Sequence, residues 1–204
     1  MNAPLAWIVG AYLLGAIPTS YMVARVFAGV DLRTYGSRNL GATNLYRLLG
    51  FKAAIPTGLF DIAKGTVPVV LAQQLNPAPG AWPLVVGCAA VLGHVFSPFV
   101  RFKGGKGVAT AAGAFLGLTP LALLVGLVVW VAVVFATRFV SLGSMLAAAA
   151  FATSVPLLYP GRPAYNVAAA LVFIFIVFTH RANLRRLIDG TENKVGRREG
   201  GVAA

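Results

Sequence analysis

Two lysines and three glycines sit together in Phe102-Lys103-Gly104-Gly105-Lys106-Gly107-Val108-Ala109-Thr110, within an otherwise apolar sequence. That mixture suits an oxyanion. Glycines let the backbone turn consecutive N–H groups into a concave nest, and lysine adds compact positive charge. The uncharged run from Gly107 onward reads as a helix, which would set the nest at a helix N-terminus, where the macrodipole also favours a phosphate. A basic loop that only fixes membrane topology is the alternative for these residues. A nucleotide P-loop fits less well, because Lys106 is followed by Gly107 rather than Ser or Thr and no soluble strand precedes it.

Three further segments carry groups of the same kind. The longest polar stretch, from Asp31 to Lys52, holds Arg33, Ser37, Arg38, Asn39, Thr43, Asn44 and Arg47 with Gly36 and Gly41, and reads as a loop with at most short helical pieces. Ser141 and Ser144 are three apart, as are His180 and Asn183, so each pair shares a helix face. The two serines fit helix packing equally well. Asp61 and Lys64, also three apart, lie in an apolar run where ionisable groups must pair or face a polar cavity; a structural ion pair and a direct substrate role both stand. His94, ahead of the Ser97-Pro98 break, reads as a satisfied histidine at a helix interface.

The elements that must position these groups follow from composition. With 58% hydrophobic and 11% charged residues and a mean hydropathy of +0.81, the 204-residue chain has more apolar surface than a soluble domain could bury. It reads as an all-α integral membrane protein. The net charge of +12 would suggest nucleic acid in a soluble protein, yet the 17 Lys and Arg fall mostly between apolar runs, which is a topology pattern. No nucleic-acid partner is expected. Cys88 is the only cysteine, so no intramolecular disulfide forms. Five carboxylates and one cysteine make a poor metal cage, and no metal or other cofactor is expected.

Apolar runs predict spans at about 4–24, 53–75, 81–99, 107–118, 120–137, 140–158 and 164–182 in one membrane domain. The first lacks a basic n-region, and Gly15-Ala16-Ile17-Pro18-Thr19-Ser20-Tyr21 is too polar for a signal-peptide core, so it reads as a retained helix. Asn76-Pro77-Ala78-Pro79-Gly80 and Tyr159-Pro160-Gly161-Arg162-Pro163 read as turns. The uncharged run from Gly107 to Thr137 is too long for one span of about 20 residues and short for two, and Thr119-Pro120 marks a turn within it. Treating it as a hairpin gives seven spans and puts every Lys or Arg outside the helices except Arg162 on one side. The positive-inside rule then sets the N-terminus outside and the C-terminus, with its basic tail at 193–204, in the cytoplasm. All four polar segments are thereby expected at the cytoplasmic face.

At these residues the chain resembles the bacterial acyl-phosphate:glycerol-3-phosphate acyltransferases (PlsY family). Three blocks carry the resemblance: Gly15 to Tyr21 continuing to Gly36-Ser37-Arg38-Asn39-Leu40-Gly41-Ala42-Thr43-Asn44, then Gly93-His94 through Lys103 to Thr110, and finally Thr179-His180-Arg181-Ala182-Asn183-Leu184. The resemblance covers nearly the whole chain. It implies seven transmembrane helices in the bacterial cytoplasmic (inner) membrane, with the active site facing the cytoplasm. It also implies transfer of a fatty acyl group from acyl phosphate to the 1-position of glycerol 3-phosphate, giving lysophosphatidic acid and phosphate at the first acylation step of phospholipid synthesis. Acyl-CoA is not a donor in this family, and neither His94 nor His180 has the Asp five positions on that marks thioester-dependent acyltransferases.

By the same resemblance, Ser37, Arg47, Lys106, Ser144, His180 and Asn183 correspond to glycerol-3-phosphate contacts. The Gly41 to Asn44 backbone, including Thr43, and the Gly104-Gly105-Lys106-Gly107 loop correspond to the acyl-phosphate cradle, with Arg38, Asn39, Lys103 and Ser141 beside them. Ser37, Arg47, Lys106, His180 and Asn183 form the expected catalytic set. Substrate-assisted transfer, in which the donor's phosphate takes the hydroxyl proton, competes with His180 as general base. Expected partners are the two substrates, membrane lipid and, by functional coupling, the enzyme that makes acyl phosphate. An inner-membrane transporter of an organic phosphate is the rival reading, weakened by an outer face that offers Arg162 and little else.

Overall fold

The computed structural model describes residues 3–75 and 81–196; the expected turn at 76–80 and the end of the basic tail, 197–204, lie outside the described residues. Among the described residues every regular element is helical. They fall into two compact units, one built on residues 3–114 and the other on Phe115–Val195.

The first unit contains α1 (Ala3–Ala16), α2 (Thr19–Ala28), α3 (Ala42–Leu49), α4 (Phe51–Leu75), α5 (Trp82–Val95), a 3₁₀ turn at Pro98–Val100 and the start of α6 (Val108–Leu118). The first apolar run is thus two helices. Pro18 cannot donate a backbone bond, so the helix breaks at Ile17 and leaves carbonyls that need outside donors. Ser97 Oγ donates to the Ala16 carbonyl at 2.5 Å, and Lys64 Nζ to that of Ile17 at 3.0 Å. In a membrane chain such bonds are obligatory, since lipid offers no substitute.

Small residues let these helices approach closely. Ala11, Ala72, Val86, Ala89 and Ala90 form a buried cluster between α1, α4 and α5, ringed by Trp7, Ile8, Tyr12 and Trp82. A second cluster, Ala24, Leu32, Leu40, Leu45 and Val100, fastens α2, α3 and the intervening polar segment together. Where α4 meets α6, Gly65 faces the Thr110 carbonyl and Gly113 faces the Ile62 carbonyl, each too close for a Cβ. Either glycine replaced by alanine would push the two backbones apart.

The second unit holds the end of α6, α7 (Pro120–Thr137), α8 (Val140–Leu158), α9 (Pro163–Thr179) and α10 (Arg181–Ile188). Helices α7 and α8 form a tight hairpin in which Gly143 lies against Val134 and the Trp130 carbonyl. Phe115 and Phe151 pack with rings tilted by 57° and centroids 4.6 Å apart. Helix α9 turns into α10 through a 57° bend at His180.

Apolar side chains cover the outside as well as the core, with Phe135 89% and Leu157 79% exposed, as expected of surfaces that meet lipid. Among the described residues five helical stretches are long and apolar enough to cross a membrane: Leu5–Ala28, Phe51–Gln74, Trp82–Val100, Pro120–Thr137 and Val140–Leu158; the bent α9–α10 pair, taken as one span, is a sixth. The remaining apolar helix, α6, has 11 residues and so extends about 16 Å, roughly half the hydrocarbon thickness.

Candidate active site

In the first unit, the irregular segment between α2 and α3 is held from within by Asn44, a buried side chain on α3. Its Oδ1 accepts from the Ser37 N–H at 3.0 Å, and its Nδ2 donates to the carbonyls of Leu32 at 3.2 Å and Tyr35 at 2.9 Å. One amide therefore fixes three backbone points of the loop. Gly36 takes a left-handed φ of 55° and packs against Asn44 Oδ1, while exposed Arg38 adopts a φ of 59° with its N–H on the Tyr35 carbonyl. Arg47, one turn after Asn44, is 7% exposed, and its own carbonyl accepts from Tyr35 Oη at 3.4 Å. Thr43 and Gly41 lie at the start of α3, with the Asn39 amide folded against Gly41.

Arg33 is committed elsewhere in this segment. It grips Asp31 with Nη2 at 2.7 Å and Nε at 3.0 Å, and stacks over Tyr21. The side-chain hydrogen bond from Arg33 lowers the Asp31 carboxyl to about 2, against an opposing push from burial.

The glycine-lysine loop is anchored to the end of α5. The Gly104 N–H donates to the Val95 carbonyl at 2.9 Å and the Gly105 N–H to that of His94 at 3.1 Å. Arg101 and Phe102 before it take left-handed φ values of 57° and 58°, and the Phe102 N–H bonds the Ser97 carbonyl at 2.8 Å. Gly104 and Gly105 thus spend their N–H groups on α5 and shape the turn. Gly107, at a φ of 82°, leads into α6, whose first-turn N–H groups at Val108, Ala109 and Thr110 precede the first internal bond from Ala111 to Gly107. Lys106 is half-buried between the two buried glycines, and Lys103 is exposed.

In the second unit a carboxylate organises the polar residues. Glu192 Oε1 accepts from Ser141 Oγ at 2.7 Å and from Asn183 Nδ2 at 2.6 Å, and Oε2 accepts from Arg186 Nε at 2.7 Å. Burial pushes this carboxyl up, but the bonds from Asn183, Ser141 and Arg186 more than reverse it and hold the group below its ordinary range. The segment after α10 is fixed further by the Val195 N–H on the Arg138 carbonyl at 2.8 Å. Ser144 donates to the Val140 carbonyl at 2.8 Å, so its hydroxyl must rotate to donate to a ligand. His180 Nδ1 lies 2.8 Å from the Ile176 carbonyl, which assigns the proton to Nδ1 and leaves Nε2 as the acceptor in the neutral ring.

The structure therefore joins Ser141 to Asn183 through Glu192, and Ser37 to Asn44 through a direct bond. Sequence reasoning had given Glu192 no role. Little in the sequence marked it, since three of the five carboxylates, Asp189, Glu192 and Glu199, fall in the same C-terminal stretch.

Comparison with known proteins bears on the chain as a whole. A family model described as glycerol-3-phosphate acyltransferase matches residues 5–190. Glycerol-3-phosphate acyltransferases of Geotalea daltonii and Trichlorobacter lovleyi are 46% and 48% identical, each over 95% of this chain and 98% of the relative. Among solved structures, the crystal structure of PlsY, an integral membrane glycerol 3-phosphate acyltransferase, in its glycerol 3-phosphate form is similar with a TM-score of 0.89 and 35% identity, covering 96% of both chains. Its lysophosphatidic acid form matches with a TM-score of 0.87 and 33% identity.

Proposed function

Since the chain belongs to the glycerol-3-phosphate acyltransferase family, we propose that its acyl donor is acyl phosphate and that it acts without acyl-CoA. The reading rests on one observation above all, the loop from Gly104 to Gly107. Anchored glycines followed by Lys106 and the start of α6 offer positive charge and backbone donors to a phosphate.

In this reaction the glycerol 3-phosphate hydroxyl oxygen attacks the acyl carbonyl carbon. The bond from that carbon to the phosphate oxygen breaks, and inorganic phosphate leaves carrying the hydroxyl proton. Because the mixed anhydride is already activated, the protein has to align the two substrates, offset the repulsion between two phosphates and stabilise the oxyanion. We assign Ser37, Arg47, Lys106, Ser144, His180 and Asn183 to glycerol 3-phosphate. The first turns of α3 and α6, with Gly41, Thr43 and Gly107, are assigned to acyl phosphate. With the donor phosphate as base, His180 acts by accepting a hydrogen bond at Nε2. We further propose seven spans in the bacterial cytoplasmic membrane, N-terminus outside, with α6 as the short one. The lability of acyl phosphate in water favours direct coupling to the enzyme that makes it.

Two release assays on the purified protein test this reading, phosphate release with acyl phosphate as donor and CoA-thiol release with acyl-CoA as donor, each with and without glycerol 3-phosphate. Release that needs acyl phosphate and glycerol 3-phosphate together, and that collapses in Lys106→Ala, is expected. Turnover with acyl-CoA alone would overturn the donor assignment.

A further inference from the structure

Just past the end of α5 the chain makes a turn that strains its backbone. Arg101 and Phe102 are consecutive L residues at left-handed φ values of 57° and 58°, a conformation that suits glycine and crowds a bulky side chain. Hydrogen bonds hold them there. The Ser97 carbonyl accepts from the Val100 N–H at 3.2 Å and from the Phe102 N–H at 2.8 Å, and the Arg101 N–H donates to the Pro98 carbonyl at 3.2 Å. The turn is also tied to α1, where Ser97 Oγ donates to the Ala16 carbonyl and Tyr12 Oη donates to the Phe96 carbonyl at 2.6 Å. Val100 is buried in the cluster that contains Ala24 and Leu45.

This rigid turn displays side chains of two kinds. Phe99 is 60% and Phe102 62% exposed, while Arg101 and Lys103 are exposed cations. Among the described residues neither cation has a side-chain hydrogen bond or an ion pair. Of the two carboxylates within residues 3–114, Asp31 is gripped by Arg33 and Asp61 is paired with Lys64 at 2.7 Å. The apolar stretch Trp82–Val100 ends one residue before Arg101. A cation at the end of a span, with exposed phenylalanines on either side of it in sequence, lies where hydrocarbon meets water, and the anions at that level are lipid phosphates.

We propose that Arg101, with Phe99 and Phe102, forms a docking site for the headgroup of an anionic phospholipid. The guanidinium presents a planar fork to the phosphate oxygens, the two phenylalanines enter the acyl region beside it, and Lys103 adds to the attractive field. A headgroup of net negative charge is favoured over a zwitterionic one, because no carboxylate within residues 3–114 is left to balance these cations and a choline would meet them as a like charge. The strained backbone holds the cation and the rings in one orientation at the end of the span. The lipid contact precedes the loop from Gly104 to Gly107 and is separate from the phosphate-binding role proposed for that loop, so it does not depend on which acyl donor the protein takes.

Quenching by brominated lipids in vesicles tests the proposal. In a Phe102→Trp variant, the emission added to that of the three native tryptophans is followed as brominated phosphatidylglycerol or brominated phosphatidylcholine replaces part of the unbrominated phosphatidylcholine. Phosphatidylglycerol is expected to quench with an apparent affinity about fivefold higher. Arg101→Gln in the same background should bring the two lipids level. Arg101→Gly, which relieves the left-handed strain, should abolish the selectivity as fully while leaving the melting midpoint in detergent unchanged or higher. An arginine that served only to build the turn would not separate those two readouts. Equal quenching by the two lipids before Arg101 is changed, no quenching of the added tryptophan, or selectivity that survives Arg101→Gln would each overturn the proposal. Selectivity erased by added inorganic phosphate would assign the cation to a soluble anion and overturn it as well.

Discussion

Asn183 Nδ2 stands 2.6 Å from Glu192 Oε1, the same oxygen that accepts from Ser141 at 2.7 Å. Two residues expected to meet substrate are therefore held by a third that does not need to. Glu192→Ala removes the acceptor to which the buried Ser141 and Asn183 donate, each loss costing about 1–3 kcal/mol. The expected outcome is a lower melting midpoint together with a large loss of phosphate release. Glu192→Gln keeps one acceptor oxygen and should retain part of both.

Acid should act on the same carboxylate. Glu192 is held below its ordinary 4.5 in the folded protein, so its contribution to stability is complete above that value and is lost as pH falls through the depressed one. Asp31, pulled from 3.8 to about 2 by Arg33, loses its contribution between those values. Melting midpoints measured from pH 6 downward should fall below about pH 4.5, and Glu192→Gln should flatten the upper part of that fall.

Asn44 makes a third case. Its amide serves Ser37, Leu32 and Tyr35 at once, so Asn44→Asp, which keeps the acceptor and discards both donors, should take one donor each from the Leu32 and Tyr35 carbonyls. The prediction is a destabilised protein whose KM rises for both substrates. Kinetics in both substrates decide it.

For His180 the proton on Nδ1 is fixed by the Ile176 carbonyl, leaving Nε2 to accept. Under substrate assistance, His180→Gln should raise KM for glycerol 3-phosphate and lower kcat by less than about tenfold, whereas loss of a general base costs about 10²–10⁴-fold. A pH–rate profile of kcat without an acidic limb near the imidazole range would agree.

Several of these relationships were legible in the sequence and others were not. Hydropathy and charge fixed the helical membrane class, and the break at Thr119-Pro120 separates α6 from α7 as the spacing suggested. The Ile17-Pro18 break was hidden because an apolar count sums across a proline whose freed carbonyls are satisfied by Lys64 and Ser97, residues far along the chain. Glu192 escaped notice for the same reason: its partners Ser141 and Asn183 lie on other helices, and no local spacing announces a carboxylate that acts at a distance. Asn44 was expected, by resemblance, in the backbone cradle for acyl phosphate, and no spacing showed that its side chain would turn inward and fix the loop. For the open question of Asp61 and Lys64, the ion pair is present at 2.7 Å.

That ion pair also bears on how the protein reaches its membrane. Each charge alone would add roughly 3 kcal/mol to the cost of inserting α4 during synthesis. One turn apart, the two cross as a nearly neutral unit. Removing either one leaves the nascent helix with a lone charge before any neighbour has arrived to meet it, so such a change should show first as a failure of biogenesis, in how much protein accumulates, ahead of any change in the enzyme that does.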